Sequence, residues 1–405
     1  MPAAQLLPAG ALAGVRVLDL SRVLAGPWAG QLMADLGADV VKVERPGSGD
    51  DTRAWGPPWL ADIDGEATSE SAYYLSANRN KRSVAIDIGT AEGQALVRRL
   101  AAKADILLEN FKVGGLAQYG LDYASLKAIN PRLIYCSITG FGQTGPYAAR
   151  AGYDFLIQGM GGLMSVTGRA DGDEGAGPQK VGVAVTDVMT GLYASVAVLA
   201  ALAHRERSGE GQHIDLALLD VQVACLANQA SNYLVGGAAP QRMGNAHPNI
   251  VPYQDFPTAD GYMILAVGND AQFAKCCAIL GHPQWALDER YATNPARVLH
   301  RDDLVALLGA ATRERSTAAW IAAMEAAGVP CGPINTIDQM FDDPHVRARG
   351  LRVEMPHAMA GKVPLVANPI RMSASPVTYR RAPPTLGEHT GEVLLEWLGA
   401  DYKRG

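Results

Sequence analysis

A parallel α/β sheet covered by helices on both faces, joined to a smaller second α/β domain, is the fold class this sequence predicts. Three observations predict it. Strand-like and helix-like runs alternate from the start of the chain, the pattern of a parallel sheet with crossover helices. Its 405 residues exceed one average hydrophobic core. Fresh strand and helix signals also restart after a stretch rich in Gly, Pro and Asn near residue 245.

In order, Val15 to Leu20 reads as a strand, Gly26 to Leu36 as a helix and Asp39 to Glu44 as a strand. A strand over Ser83 to Ile88, a helix over Thr90 to Lys103 and a strand over Asp105 to Glu109 follow. Helix Tyr123 to Ile129 leads into strand Leu133 to Ile138. Sheets of this kind bind ligands beyond the carboxyl ends of their strands. A β-branched run, Lys180 to Thr186, reads as a strand before the apolar helix that ends at His204. Strand His213 to Leu216 and a long helix, Leu219 to Leu234, come next. In the second domain the signals are a strand at Tyr262 to Val267 and helices at Ala271 to Leu280, Arg301 to Thr312 and Thr317 to Ala326. The divisions expected are 1–205 for the first part of the large domain, 206–245 for a linker and 246–330 for the small domain. A Pro-rich, extended tail spans 331–405.

Composition narrows the function. Hydrophobic content of 48% with 19% charged residues fits a soluble enzyme, and a net charge of −6 argues against a nucleic-acid partner. The five cysteines, Cys136, Cys225, Cys276, Cys277 and Cys331, are widely spaced without a CxxC pair. Neither a disulfide scaffold nor a metal site is expected, and reduced thiols point to a cytoplasmic protein. The N-terminus carries no signal-peptide pattern, and the longest apolar run, Leu192 to Ala203, is short for a bilayer. No membrane partner is expected.

Each candidate motif has a plain reading beside a functional one. The loop Ser21 to Trp28 is a strand-to-helix turn or a phosphate cradle, without the G-x-G-x-x-G of a dinucleotide fingerprint. Glu44-Arg45 closes the second strand, as a surface ion pair or as a contact for a ribose phosphate. Asn78-Arg-Asn-Lys-Arg82 is a solvated basic loop or meets an acidic ligand. Glu109-Asn110-Phe111 combines a cap and a core aromatic, or lies where a ligand passes. Tyr153-Asp154 is a packed aromatic and a helix cap. His247, in the loop Met243 to Asn249, is structural or catalytic. Asp187 carries the sharpest pair of readings. It is the N-cap of the helix that follows, or a reacting carboxylate at a helix N-terminus, where the dipole favours its anion.

Taken together the blocks VRVLDLSRVLAGPWAGQLMADLGADVVKVERPGSGD, NRNKRSVAID, ADILLENF, NPRLIYCSITGFGQTGPY, GYDFLIQGMGGL, KVGVAVTDVMTGLYA and AGVPCGPINT resemble the class III CoA-transferases. That family includes formyl-CoA transferase, carnitine CoA-transferases and α-methylacyl-CoA racemases. Within it the sequence most resembles the succinate–glutarate type. The resemblance implies a Rossmann-like large domain completed by the returning tail, a smaller domain between, and an interlocked homodimer. It implies that Asp187 is the nucleophile and that CoA meets Leu24, Ala25, Arg45, Ile86, Asn110, Phe111 and Tyr153. Gly244 and His247 fall in the place of the family's glycine lid, and Gln118 stands where the family carries a basic residue.

The implied reaction moves CoA from an acyl-CoA donor, succinyl-CoA, to a carboxylic acid such as glutarate, through an aspartyl anhydride and an aspartyl-CoA thioester. CoA enters as substrate, and no permanently bound cofactor is expected. For the distal carboxylate of a dicarboxylate, Arg22 is the first candidate cation and His247 the second. One alternative is an α-methylacyl-CoA racemase, against which Tyr153 counts, because the racemases place a His there. Another is a non-catalytic CoA-binding protein.

Overall fold

The computed structural model describes residues 10–400, which divide into two compact units. Unit 1 comprises residues up to Gly162, Val181–Ala230 and the chain from His345 on. Unit 2 comprises Leu163–Lys180 and Ser231–Pro344.

Unit 1 is built on a six-stranded sheet in which every pairing is parallel. Its strands are β1 (Arg16–Asp19), β2 (Asp39–Glu44), β3 (Lys81–Ala85), β4 (Ile106–Glu109), β5 (Ile134–Thr139) and β6 (His213–Ala217). Their spatial order is β3-β2-β1-β4-β5-β6, the doubly wound order whose direction reverses between β1 and β4. Alternating side chains feed opposite layers, as the two-residue period of a strand demands. Val17, Val40, Ile106 and Ile134 pack with Ala29, Met33, Ala194 and Val198 on one face. Leu18, Val41, Leu107 and Tyr135 pack with Val97, Leu100, Val393 and Trp397 on the other.

The covering helices are α1 (Ala25–Asp35), α2 (Ala91–Ala101), α3 (Tyr123–Ile129), α4 (Asp154–Met160), α5 (Val185–Ser208) and α6 (Leu218–Cys225). Helix α5 buries Thr190, Gly191, Ala194 and Val198. A Cβ at Gly191 would lie 2.7 Å from the Ala25 carbonyl oxygen, so glycine sets the approach of α5 to α1. The opposite side of α5 exposes Leu192, Tyr193, Val196 and Leu199. By length and composition this 24-residue helix could cross a membrane, yet one face belongs to the core of unit 1.

In unit 2 an antiparallel sheet of three strands, β7 (Tyr253–Pro257), β8 (Tyr262–Ala266) and β9 (Cys331–Pro333), has β8 in the middle. Helices Asp270–Ile279, Arg301–Thr312 and Thr317–Ala326 supply Phe273, Leu304, Leu308, Trp320 and Met324 to its core.

Several expectations are corrected. Residues 180–184 form no strand; α5 starts at Val185 instead. Gly182 interrupts the β-branched run, and no strand among the described residues is paired in a sheet with it. The segment 206–245 is no linker, because it completes α5, supplies the edge strand β6 and holds α6. The expected helix Leu219 to Leu234 breaks at Ala227, whose φ of 45° is left-handed, and resumes over Ala227–Gly236. Residues 163–180 and 331–344 join unit 2, the latter because Cys331–Pro333 pairs with β8. The tail is not simply extended. It forms a hairpin, β10 (Arg352–His357) with β11 (Gly361–Val366), and a helix, Thr390–Leu398, whose Val393, Leu394 and Trp397 close one face of the sheet.

Candidate active site

The loops after β1 and β4 meet at the reversal point of the sheet. Asn110 clasps Arg22 through two hydrogen bonds: the Arg22 N–H donates to Asn110 Oδ1 at 2.9 Å, and Asn110 Nδ2 donates to the Arg22 carbonyl at 2.7 Å. Glu109, just upstream, accepts from the Phe111 N–H at 2.8 Å, and burial raises its pKa to about 7.

Two cavities flank this clasp. The larger, of about 600 Å³, is lined by the ends of β2 and β3, including Arg45, Asp50, Ile86 and Ile88, with Gln118 and Tyr119 opposite. That volume suits a nucleotide-sized ligand. Gln118 donates to the Gly115 carbonyl at 3.0 Å. The smaller cavity, of about 170 Å³, is lined by Leu24, Ala25, Asn110, Arg150, Tyr153 and Asp187. Arg22, Asp51, Phe111 and Lys112 line both, so the two chambers share a wall at the strand ends.

Beneath the larger cavity lies a buried ionic scaffold. Lys42 and Lys81 are fully buried. Lys42 pairs with Asp50 at 2.8 Å and donates to the Ser21 carbonyl at 2.8 Å; Lys81 pairs with Asp19 at 3.0 Å and donates to the Pro27 carbonyl at 2.8 Å. Despite their burial, which alone would raise them, the neighbouring ammonium groups hold Asp19 below the usual carboxylate range and Asp50 at about 2. Arg53 bridges Glu44 and Glu70, each at 2.8 Å. This scaffold fixes the β1–α1 loop in a costly shape. Val23 has φ +72°, a left-handed conformation that costs a β-branched residue roughly 1–3 kcal/mol, and its N–H is held by the Asp50 carboxylate. The basic run Asn78 to Arg82 belongs to the same architecture: all five residues are buried, with Arg79 on Asp35 and Arg82 on Asp39. It is therefore neither a solvated loop nor a ligand contact.

Asp187 is treated in the opposite way. It sits in the first turn of α5, past the cap position at Ala184. The cap is supplied by Asp154, whose Oδ1 accepts from the Thr186 N–H at 2.8 Å and the Asp187 N–H at 3.3 Å. Gln158 locks that arrangement, donating to Asp154 Oδ2 at 2.7 Å while its own oxygen accepts from the Val181 N–H at 2.9 Å. Asp187's carboxylate, relieved of capping, faces the smaller cavity without an ion-pair partner among the described residues. Burial first, and the negative charge of Asp154 second, raise its pKa to about 7. A carboxylate of that basicity is a better nucleophile once ionised, and near neutrality it is ionised about half the time.

The floor of this cavity depends on glycine. A Cβ on Gly152 would lie 2.5 Å from the Gly140 Cα, so the two strands of loop cross with no room for a side chain. Tyr153 follows and is 64% exposed at the entrance. Tyr73, absent from the sequence reading, lies near enough to Asp187, Asp154 and Asp50 for their charges, added to burial, to push its phenol up to about 12. It stays a proton donor at neutral pH. Its ring meets Trp55 edge to face at 5.2 Å.

The remaining candidates separate. Arg22 is paired with Asp51 at 2.9 Å and lies over the Phe111 ring. His247 and Gly244 belong to unit 2. There the His247 Nδ1 accepts from the Asn249 N–H at 3.0 Å, its ring rests on Tyr253, and burial and Arg301 lower its pKa. Gly244, at φ +61°, donates its N–H to the Gly168 carbonyl at 3.0 Å.

A doubly wound sheet with a raised carboxylate beyond its strand ends finds a match among known proteins. The profile of CoA-transferase family III matches residues 12–390. This chain belongs to that family. A succinate–glutarate CoA-transferase of Agrobacterium fabrum is 58% identical over 385 residues, 95% of both chains. The human succinyl-CoA:glutarate CoA-transferase is 46% identical over 390 residues, 96% of this chain and 86% of that one. A crystal structure of a CAIB/BAIF family protein from Brucella suis superposes with a TM-score of 0.84 at 53% identity, covering 96% of this chain and 100% of the other. The family III chain is thus a CoA-transferase, an enzyme whose substrates are CoA thioesters and carboxylic acids.

Proposed function

We propose that this CoA-transferase moves CoA from succinyl-CoA to glutarate, with Asp187 as the covalent nucleophile. The observation that carries the reading is the unpaired, basic carboxylate of Asp187 in the small chamber beside the nucleotide-sized one. The names of the similar enzymes from Agrobacterium and human supply the two acids.

The chemistry follows from that placement. CoA's nucleotide occupies the larger cavity, near Arg45, Ile86 and Phe111, and its thioester reaches past Leu24 and Ala25. Asp187's carboxylate attacks the succinyl carbonyl and the C–S bond breaks, giving a succinyl–aspartyl anhydride and CoA thiolate. The thiolate attacks the aspartyl carbonyl, releasing succinate and leaving an aspartyl-CoA thioester. Glutarate attacks that thioester and expels the thiolate, which takes the glutaryl group from the new anhydride and restores Asp187. Splitting one exchange into anhydride and thioester steps lowers each barrier. Tyr73, protonated and close enough to feel the charge of Asp187, is the donor this reading assigns to oxyanion character at the reacting carbonyls.

The chain works as an interlocked homodimer in the cytoplasm in this reading. The apolar side of α5, with Leu192, Tyr193, Val196 and Leu199 exposed, supports a partner surface. The five cysteines are free thiols, which suits a reducing compartment. The functional test is chromatographic detection of glutaryl-CoA after mixing the enzyme with succinyl-CoA and glutarate. Its formation, together with free succinate in equal amount, is expected. Deuterium wash-in at the α-carbon of a branched acyl-CoA without any acceptor acid would instead indicate a racemase.

A further inference from the structure

Building on the CoA-transfer reading, we propose that Arg150 binds the distal carboxylate of the dicarboxylate and so selects diacids over monoacids. Arg150 lines the small chamber that contains Asp187 and takes no part in the larger one. At about 170 Å³ that chamber lies well below the ~300–1,000 Å³ of drug-sized ligand pockets, so it matches a short acid.

Charge comes next. A dicarboxylate whose near end reacts at Asp187 brings a second negative charge into the chamber. A cation at the far end gives that second carboxylate a charge-assisted pair that a monoacid cannot make, and Arg150 is exposed enough to be reached. Three cations line this chamber. Arg22 already faces Asp51 at 2.9 Å, so a substrate carboxylate would have to compete for it. Lys112 stands on the wall shared with the larger cavity, which the CoA-transfer reading gives to CoA. Arg150 has no carboxylate within ion-pair reach among the described residues.

Its guanidinium is also pre-positioned. It lies 5.1 Å from the Phe141 ring centre and 4.6 Å from that of Tyr147, and the two rings meet edge to face at 5.6 Å. Aromatic faces hold the charged plane without neutralising it, leaving N–H edges to grip two carboxylate oxygens. Nη2 lies 3.8 Å from the Met160 sulfur, a weak acceptor that a carboxylate displaces easily. The backbone is fixed on both sides. The Arg150 N–H donates to the Tyr147 carbonyl at 2.9 Å, and two residues on, Gly152 crosses Gly140. Succinyl donor and glutarate acceptor both react at Asp187, so one cation serves both halves of the exchange.

The test measures kcat/KM for glutarate and for pentanoate, an acid of the same chain length without the distal carboxylate, at one saturating succinyl-CoA concentration. The ratio of the two cancels effects on the donor. Arg150→Met is expected to lower the glutarate-to-pentanoate ratio about 10- to 100-fold, the worth of a charge-assisted hydrogen-bonded pair, with Arg150→Lys intermediate. Arg22→Met is expected to keep the ratio within about twofold, on the same scale. CoA binding by calorimetry checks that each variant is folded. An unchanged ratio in a folded Arg150→Met overturns the assignment. If the unaltered enzyme makes no glutaryl-CoA at all, the reading of the function fails instead, and the two failures are told apart.

Discussion

The two chambers on either side of the Arg22–Asn110 clasp treat charge in opposite ways. Under the large chamber every buried charge is answered: Lys42 by Asp50, Lys81 by Asp19, Arg53 by Glu44 and Glu70. The carboxylates Asp19, Glu44 and Asp50 are accordingly held below their ordinary range, while Glu70, which shares Arg53 with Glu44, is raised by burial and by the charge of Glu44. In the small chamber Asp187 is left unanswered, beside another carboxylate, and its pKa climbs to about 7. Compensated charge fixes a shape, here the strained Val23 turn. Uncompensated charge stores reactivity, at a cost in stability.

That contrast can be broken at either side, and the largest effect belongs to the reactive one. Asp187→Asn should cut turnover by at least about 10⁴-fold, read by steady-state assay, because no second carboxylate is free to replace it: Asp51, which also lines the chamber, is paired with Arg22, and Asp154 is committed to capping. On the scaffold side, Lys42→Met leaves Asp50 buried and unpaired and should cost about 3–5 kcal/mol. At pH 8 its Tm should fall whereas that of Asp187→Asn should rise, and a melt in which both fall equally would erase the distinction.

Smaller effects sharpen it. Asp187→Asn removes a carboxylate whose folded pKa lies above its unfolded value. The penalty it relieves is therefore fully present above pH 7 and vanishes below about pH 4, near the ordinary Asp value. The variant should be more stable than its parent by about 2 kcal/mol at pH 8, allowing for partial exposure, and no different at pH 4. In the parent, kcat/KM should fall about tenfold per unit as pH drops below 7, since only the ionised carboxylate attacks. Glu109 also titrates near 7 and holds the Phe111 N–H. The acid limb should survive in Glu109→Gln; its loss there would transfer the titration from Asp187 to the clasp.

The sheet was legible in the sequence because its strands and helices carry unbroken periodic patterns. Tyr123 to Ile129 and Arg301 to Thr312 were placed to the residue. The short pieces were not. Cys331–Pro333 becomes a strand only because β8 is there to pair with it, and Thr390–Leu398 is helical inside a Pro-rich tail because Val393 and Trp397 have a sheet face to cover. The resemblance picks out Arg45, Ile86, Asn110, Phe111 and Asp187 as site residues, and all of them line the two chambers. What no local pattern reveals is partnership across the fold. Nothing near Asp187 in sequence says that Asp154, 33 residues away, takes over its capping role. Nor does anything near Lys81 say that a basic run is buried on acids from other strands. Arg150 was passed over for the same reason: its value lies in the carboxylate it lacks, whereas Arg22, chosen for its place beside the first loop, has one in Asp51.

The central claim is that Asp187 forms the covalent bond to the acyl and CoA groups. Its most direct test incubates the enzyme with succinyl-CoA, traps the thioester with hydroxylamine and maps the modified carboxyl by peptide mass spectrometry. A hydroxamate confined to Asp187, absent without succinyl-CoA, is the predicted result. An active enzyme with Asp187 unmodified, or with the label on Asp154, would contradict it.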